Sequence, residues 1–547
     1  MTYRLFFAFI LTFLSFSCSQ KGQSSEANGK IKTTEELFHE GAGHIALYDS
    51  LSAADKEQVI QFYQQNDFTC LFHDKKGNLT ASGRILDSLL TNTLYFGLPQ
   101  NRIYIPAESD SKIPDNVRFV LSDVQLTIGS LRLLSDLENG FSDSLKLKGR
   151  AFDLADFKHL STFRTISNRN VFYAVANSFL PKNNHYLMLA EALKNHLDTA
   201  DISLKLFEVP LSQKDSALAY KNALENLKRK EFPFSEDEDP VEIIKRYQKQ
   251  NNVRADGIIG QATKHILEES PLDLAERIAW YMEKSRYEKS YPKKFIRVNI
   301  PAFKLYYFNE DTIASIHNVV VGKVENNTPV LESKLNRIQL YPYWNVPYSI
   351  ATKEILPAIK NNPDYLERNQ MELLKGDKVV NPHLINWKKL NKNNFPYKVR
   401  QLPGHKNSLG IIKFEFYNKY DVYIHDTPQK GLLETPNRMY SHGCVRCQNP
   451  IELAKKILEI DENKIIPDSL DTLLSKGEQH LIRLKKSIPV YIEYNSISIT
   501  PVLVKKHKDK PDEYEEQIFY FRDIYFTDEK TTHYFFGKKT LEAKTRI

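Results

Sequence analysis

Two short segments hold residue types capable of nucleophilic chemistry: Tyr423-Ile424-His425-Asp426-Thr427-Pro428 and Ser441-His442-Gly443-Cys444-Val445-Arg446. A cysteine attacks as its thiolate, so a useful nucleophile needs an imidazole close enough to take its proton. His425 ends a β-type run nineteen residues before Cys444, a spacing that a loop can close into contact. Gly443 removes the side chain beside the nucleophile and lets a substrate carbonyl approach backbone amides that can stabilise an oxyanion. Arg446 adds a positive field that would lower the thiol pKa. A lone cysteine is most often a small buried hydrophobe, but Cys444 sits among Gly, His and Arg. Cys444-Val445-Arg446-Cys447 is formally a CxxC, the pattern of redox and zinc sites. No second CxxC exists, and Cys447, like Cys70, is expected to be incidental to the chemistry. His39, His44 and His405 are scattered and neither an HExxH nor a P-loop occurs, so no metal and no cofactor are expected.

The elements around these segments define an α+β, multi-domain chain. From about residue 293 the texture is β-rich, with runs at 295–300, 304–308, 317–321, 410–416 and 422–425. A helix-flavoured insertion at 350–400 interrupts it, and 450–458 reads as a helix after the nucleophile segment. Residues 31–232 are mainly helical in period and are expected to form a scaffold domain, closed by the acidic, proline-bounded linker 234–240. In 241–269, Ile243, Ile244, Tyr247 and Gln248 fall on one helical face, Asp256-Gly257 makes a turn and Gly260 permits a second bend. The tail, 466–547, holds strand-like runs at 488–494 and 517–525 and is expected to pack back on the β-rich domain.

The middle stretch resembles the small three-helix peptidoglycan-binding domain, whose signature is Arg-x-Gln followed by Asp-Gly-x-x-Gly-x-x-Thr. Arg246, Gln248, Asp256, Gly257, Gly260 and Thr263 match it, which implies such a module at 236–272 and a glycan partner. The chemical segments resemble the L,D-transpeptidase family: a His, a variable loop, then Ser/Thr-His-Gly-Cys-x-Arg/Asn. Residues 403–410 and 423–428 resemble the family's large multi-domain periplasmic branch. So does Trp344-Asn345-Val346-Pro347-Tyr348-Ser349-Ile350, which introduces that branch's helical substrate-capping insertion. The resemblance implies a catalytic domain at 293–465, Cys444 as nucleophile and His425 as general base and acid. It also implies oxyanion donors at the Gly443 and Cys444 backbone, with the Tyr423 hydroxyl beside them. Ser441 and His442 match the motif, His442 as a loop-shaping residue, and Arg446 stands where smaller members have Asn. The activity implied is 3→3 cross-linking of peptidoglycan stem peptides through a cysteine thioester, with D-Ala released from a tetrapeptide and carbapenems as acylating inhibitors. An L,D-carboxypeptidase or a stem-to-protein transferase would use the same site, and a non-catalytic cell-wall-binding scaffold is the alternative of a different class.

Composition bounds these readings. At about 150 residues per domain, 547 residues suggest three or four domains. Hydrophobic residues at 41% and charged residues at 26% are ordinary globular values. Four cysteines are too few for a disulfide scaffold. The net charge of +7 gives no nucleic-acid footprint on a chain this long, though it suits a polyanionic envelope polymer. Residues 1–18 place Arg4 before an apolar run, 5–14, too short to span a bilayer, as in an export signal. Ser17 before Cys18 resembles a bacterial lipoprotein cleavage site, which implies lipid on Cys18, a flexible tether at 19–30 and a periplasmic address. No later run is long and apolar enough to be transmembrane, so the expected hold on the membrane is the lipid alone.

Overall fold

The computed structural model describes residues 25–27, 30–32, 34–42, 53–99, 115–142, 169–505 and 513–537, apart from positions 75, 288, 311, 363 and 463. The leader 1–18 with Cys18, and most of the tether, lie outside the described residues. The chain forms two compact units. One takes the chain up to Leu193 with Met282–Arg286 and Phe535–Gly537; the other takes Lys194–Tyr281 and Tyr287–Tyr534.

The first unit is helical, apart from a short antiparallel pair, β1 (Ser25–Ala27) and β2 (Lys30–Lys32). Its helices include Ala53–Gln65, Ala81–Leu90 and the 25-residue Asp115–Asn139, whose Val124, Leu126, Ile128, Leu131 and Leu134 are buried. Asp123, fully buried, accepts hydrogen bonds from the Leu71 and Phe72 amides at 2.8 and 2.7 Å and from the Tyr63 hydroxyl at 2.8 Å. A buried carboxylate is tolerated only when donors surround it, so this cluster fixes the loop after Ala53–Gln65 against the long helix.

The second unit opens with three helices, Ser216–Arg229, Pro240–Gln250 and Gln261–Glu268, that share one core of Ala219, Ala223, Leu227, Ile243, Ile244, Tyr247, Ile266 and Leu267. Two of these span the motif at 236–272; the third lies upstream of it. The motif residues build its turns. Gln248, fully buried, donates to Ile258 O at 3.0 Å and Thr263 Oγ1 at 2.9 Å and accepts from the Gly257 amide at 2.8 Å. Gly257 takes φ +77°, left-handed backbone that glycine adopts without Cβ strain.

The β-rich part follows. It comprises β3 (Lys294–Asn299), β4 (Lys304–Asn309), β5 (Thr312–Gly322), β6 (Leu331–Leu340), β7 (Trp344–Asn345), β8 (Met371–Lys375), β9 (Lys378–Val380), β10 (Lys398–Gln401), β11 (Ile412–Phe416), β12 (Ile424–His425), β13 (Met439–Ser441), β14 (Val445–Cys447) and β15 (His480–Glu493). Nine of these make one sheet in the order β13-β5-β14-β12-β11-β6-β15-β3-β4, and β4 also pairs with β5, so the sheet closes on itself like a barrel. Closure removes free edges and turns alternate side chains inward. In β11 this places Ile412, Phe414 and Phe416 in the core while Lys413 and Glu415 face out. The helix Pro450–Ile460 starts with proline at its first turn and packs Leu453, Ala454, Ile457 and Leu458 into the same core.

The insertion mixes short helices, such as Leu356–Asn361 and Tyr365–Arg368, with a second sheet ordered β7-β10-β8-β9 around its own core of Ile355, Ile359, Leu366, Leu373, Trp387 and Val399. The helical period of its first turns gives no sign of these strands, which are two to five residues long and pair across the length of the insertion. The tail adds the hairpin β16 (Ile497–Lys505) and β17 (Glu513–Tyr520), and Ile524 and Tyr525 join the barrel core.

Candidate active site

The two chemical segments meet because β12 and β14 are parallel neighbours, with Ile424 opposite Val445 and His425 opposite Arg446. This register puts Cys444 level with Tyr423, and the Val445 amide donates to Tyr423 O at 3.0 Å. Ile424, Val445 and Cys447 are fully buried in the core, so the pleat turns Tyr423, His425, Cys444 and Arg446 to the other face. All four line a cleft of about 650 Å³ whose opposite wall comes from the insertion, including Ile350, Glu354 and Ile355. Cys444 and Cys447 are free thiols on opposite faces of the strand, and burial pushes the Cys447 thiol well above its ordinary pKa. Among the described residues no cluster of side chains is arranged to hold a metal ion.

The imidazole is buried, and its Nδ1 lies 2.5 Å from the Asp426 backbone carbonyl. A carbonyl only accepts, so the ring donates from Nδ1 to Asp426 O, and the Leu409 carbonyl is a second main-chain acceptor beside the imidazole. The orienting third group is therefore a main-chain oxygen. The Asp426 carboxylate is engaged elsewhere, with the Ile411 amide at 3.0 Å and with Lys430. Burial, then the positive field of Arg446, pulls the His425 pKa down from 6.5 to about 3, with Lys413 adding to the effect. Burial also raises the Cys444 thiol above its ordinary value; Tyr423, Lys413 and Arg446 pull the other way without overcoming it. The resting pair is consequently a neutral thiol and a neutral imidazole. The thiol proton is directed to Asp421 O, with sulfur and oxygen 3.8 Å apart. The Tyr423 ring lies edge-on to His425, centroids 5.8 Å apart, and its hydroxyl interacts with both Cys444 and Trp344. An indole N–H can only donate, so the Tyr423 oxygen accepts from Trp344 and its own proton is available to the sulfur or to charge forming beside it.

The loop that carries Cys444 is braced from within. Ser441 Oγ donates to Cys444 O at 2.6 Å and accepts from the Gly443 amide at 3.1 Å. The Gly443 amide is thus occupied in this structure, whereas the Cys444 amide makes no hydrogen bond among the described residues. Gly443 takes φ +119°, a conformation open to glycine and strained for other residues. His442 leaves the loop on the cleft side, where Nε2 meets Glu354 of the insertion at 2.6 Å. Arg446 donates to Gln429 Oε1 at 2.8 Å. The helix Pro450–Ile460 begins only after β14, so the amide of Cys444 belongs to a strand-entry turn and not to a helix N-terminus. Three further residues bear on the site without a motif to announce them. Lys413 sits opposite His425 in the sheet with its Nζ 4.3 Å from the Tyr423 ring centroid. Asp421 receives the thiol, and Glu354 reaches across the cleft.

Fold and site together define a closed β-sheet domain with a histidine at the end of one strand and a cysteine at the entry of its parallel neighbour, both lining a cleft walled by the insertion. Residues 293–492 match the family model of the L,D-transpeptidase catalytic domain, and residues 57–193 match a scaffold domain. Over 200 residues the chain is 34% identical to a Haemophilus influenzae protein with a provisional L,D-transpeptidase description; the match covers 36% of this chain and 40% of that protein. A crystal structure of a mutant Enterococcus faecium L,D-transpeptidase aligns over 37% of this chain and 50% of that one, at 11% identity and a TM-score of 0.16. The β-rich part of this chain is thus similar to the L,D-transpeptidase catalytic domain, and a helical stretch before it is similar to a scaffold domain.

Proposed function

We propose that this chain is a cysteine-dependent L,D-transpeptidase that forms 3→3 cross-links between peptidoglycan stem peptides. The observation that carries the reading is the β12–β14 register, which puts Cys444, His425 and Tyr423 on one face of the cleft. In the reaction, Cys444 sulfur bonds to the third-residue carbonyl of a tetrapeptide donor while His425 Nε2 takes the thiol proton. The Cys444 amide and the Tyr423 hydroxyl stabilise the oxyanion. The carbonyl–nitrogen bond to D-Ala then breaks, and the imidazolium returns its proton to the leaving amine. An amine of a neighbouring stem attacks the thioester, His425 takes a proton from it, and the thiol is regenerated. The insertion wall limits water at the thioester and so favours the amine. The three-helix module binds the glycan, and the +7 charge favours an anionic wall polymer. A lipidated Cys18 holds the chain at the periplasmic face of an envelope membrane. Among the described residues no helix is long and apolar enough to cross a membrane.

The test is mass spectrometry of muropeptides after incubating the purified chain with tetrapeptide-rich sacculi. Cross-linked dimers are expected, and Cys444→Ala is expected to abolish them with its fold intact. Shortened stems without dimers would assign a carboxypeptidase. No change, or turnover retained by Cys444→Ala, would sink the proposal.

A further inference from the structure

Among the described residues, the Gly443–Cys444 peptide is tied to the barrel by one hydrogen bond, from Thr328 Oγ1 to Gly443 O at 2.9 Å. A trans peptide is planar, and its C=O and N–H point in opposite directions. Whatever holds the Gly443 carbonyl therefore aims the Cys444 amide. Thr328 is 2% exposed, while Cys444 lines the cleft, so the carbonyl turned inward leaves the N–H turned towards the substrate.

Thr328 is itself held at both its hydroxyl and its amide. Its Oγ1 accepts from the Gly322 amide at 2.9 Å, and its own amide donates to the Tyr525 hydroxyl at 3.2 Å. That hydroxyl donates to Gly322 O at 2.7 Å, so one phenol clamps both ends of the turn 322–328. A Cβ on Gly322 would lie 2.1 Å from Asn326 O, which leaves only glycine able to close this turn. Tyr525 is fixed in its turn: its amide donates to the Tyr494 hydroxyl at 2.8 Å, and Tyr494 donates to buried Asp523. The Asp523 carboxylate also caps the Thr527 and Glu529 amides at 2.9 and 2.8 Å. Tyr525 and Asp523 lie beyond residue 492, outside the stretch that matches the catalytic-domain family.

We infer that Thr328, clamped by Tyr525 of the C-terminal segment, is a positioning residue that aims the Cys444 amide as an oxyanion donor. The inference rests on the acyl-transfer reading above. It makes the tail part of the catalytic apparatus, acting through the main chain and touching no substrate.

Two reactions at the same sulfur separate this role from a structural one. Acylation by a carbapenem builds negative charge on a carbonyl oxygen and needs the oxyanion donor. Alkylation by iodoacetamide displaces iodide at a saturated carbon and does not. In the full-length chain, Thr328→Val keeps the shape and removes the hydroxyl, Thr328→Ser restores it, and Tyr525→Phe removes only the clamp. Losing an oxyanion donor outright costs about 10²–10³ in rate, so misaiming one is expected to slow acylation by roughly ten- to a hundredfold. Alkylation, read by mass on the peptide that contains Cys444, is expected to stay within about twofold, and Thr328→Ser to recover acylation. If Thr328→Val does not fold, the ratio of the two rates in Tyr525→Phe decides. Unchanged acylation, or alkylation falling in step with it, overturns the inference. An unmodified chain that is alkylated at Cys444 but never acylated would instead bring down the acyl-transfer reading, and the inference with it.

Discussion

Raising the pH should accelerate alkylation of Cys444 steadily, because the resting thiol and imidazole are both neutral. The thiol is held above its ordinary pKa of 9.0 by burial, and His425 is held down at about 3. A thiolate–imidazolium pair would need the opposite order, with the imidazole the stronger base. With the thiol pKa no lower than 9.0, at most about one per cent is thiolate at pH 7, and that fraction grows about tenfold per pH unit up to the pKa. The assay is the rate of iodoacetamide incorporation into the Cys444 peptide from pH 5 to 9. The expected profile climbs through the whole range with no plateau below pH 8. A rate that is flat between pH 5 and 8, as a preformed ion pair gives, would refute the neutral-pair reasoning and the general-base role built on it.

Two other outcomes follow from the same geometry. His425 stays neutral in the folded chain down to about pH 3, whereas an unfolded imidazole takes a proton below 6.5, so stability should decline as pH falls from 6.5 towards 3 and level off below it. The full shift corresponds to about 5 kcal/mol; urea titrations at pH 7, 5 and 4 should show a shallower decline in His425→Asn, and equal slopes would contradict the assignment. Gln248→Ala should destabilise the three-helix module by about 1–3 kcal/mol, because the Gly257 amide and Thr263 lose a buried partner. Alkylation of Cys444 should be unaffected, and a parallel loss there would contradict the separation of module from site.

How much of this was legible beforehand depended on range. Cys444, His425 and the intervening loop are local in sequence, and a thiol among Gly, His and Arg is a chemical oddity that composition does not produce by chance. The turn glycines of the three-helix module were readable for the same reason, since Gly257 at φ +77° and buried Gln248 do their work within a dozen residues. What escaped was long-range. Lys413 gives no sign of facing His425 until β11 pairs with β12. Thr328 and Tyr525 are separated by 197 residues, and nothing in an isolated threonine or tyrosine reveals that they share a hydrogen bond. The sheet inside the insertion was hidden because strands of two to five residues carry too short an alternation to stand out. The Gly443 amide was expected as an oxyanion donor, and in the structure it is engaged by Ser441 Oγ only two residues away, a contact set by the loop's curl.

A thioester at Cys444 can be trapped and weighed. The chain would be mixed with a tetrapeptide stem, quenched in acid within seconds and digested, and the Cys444 peptide weighed. That peptide is expected to carry the donor stem less D-Ala, and His425→Asn to show little or none. Turnover of the stem with Cys444 never modified, or an adduct on another cysteine, would contradict the thioester.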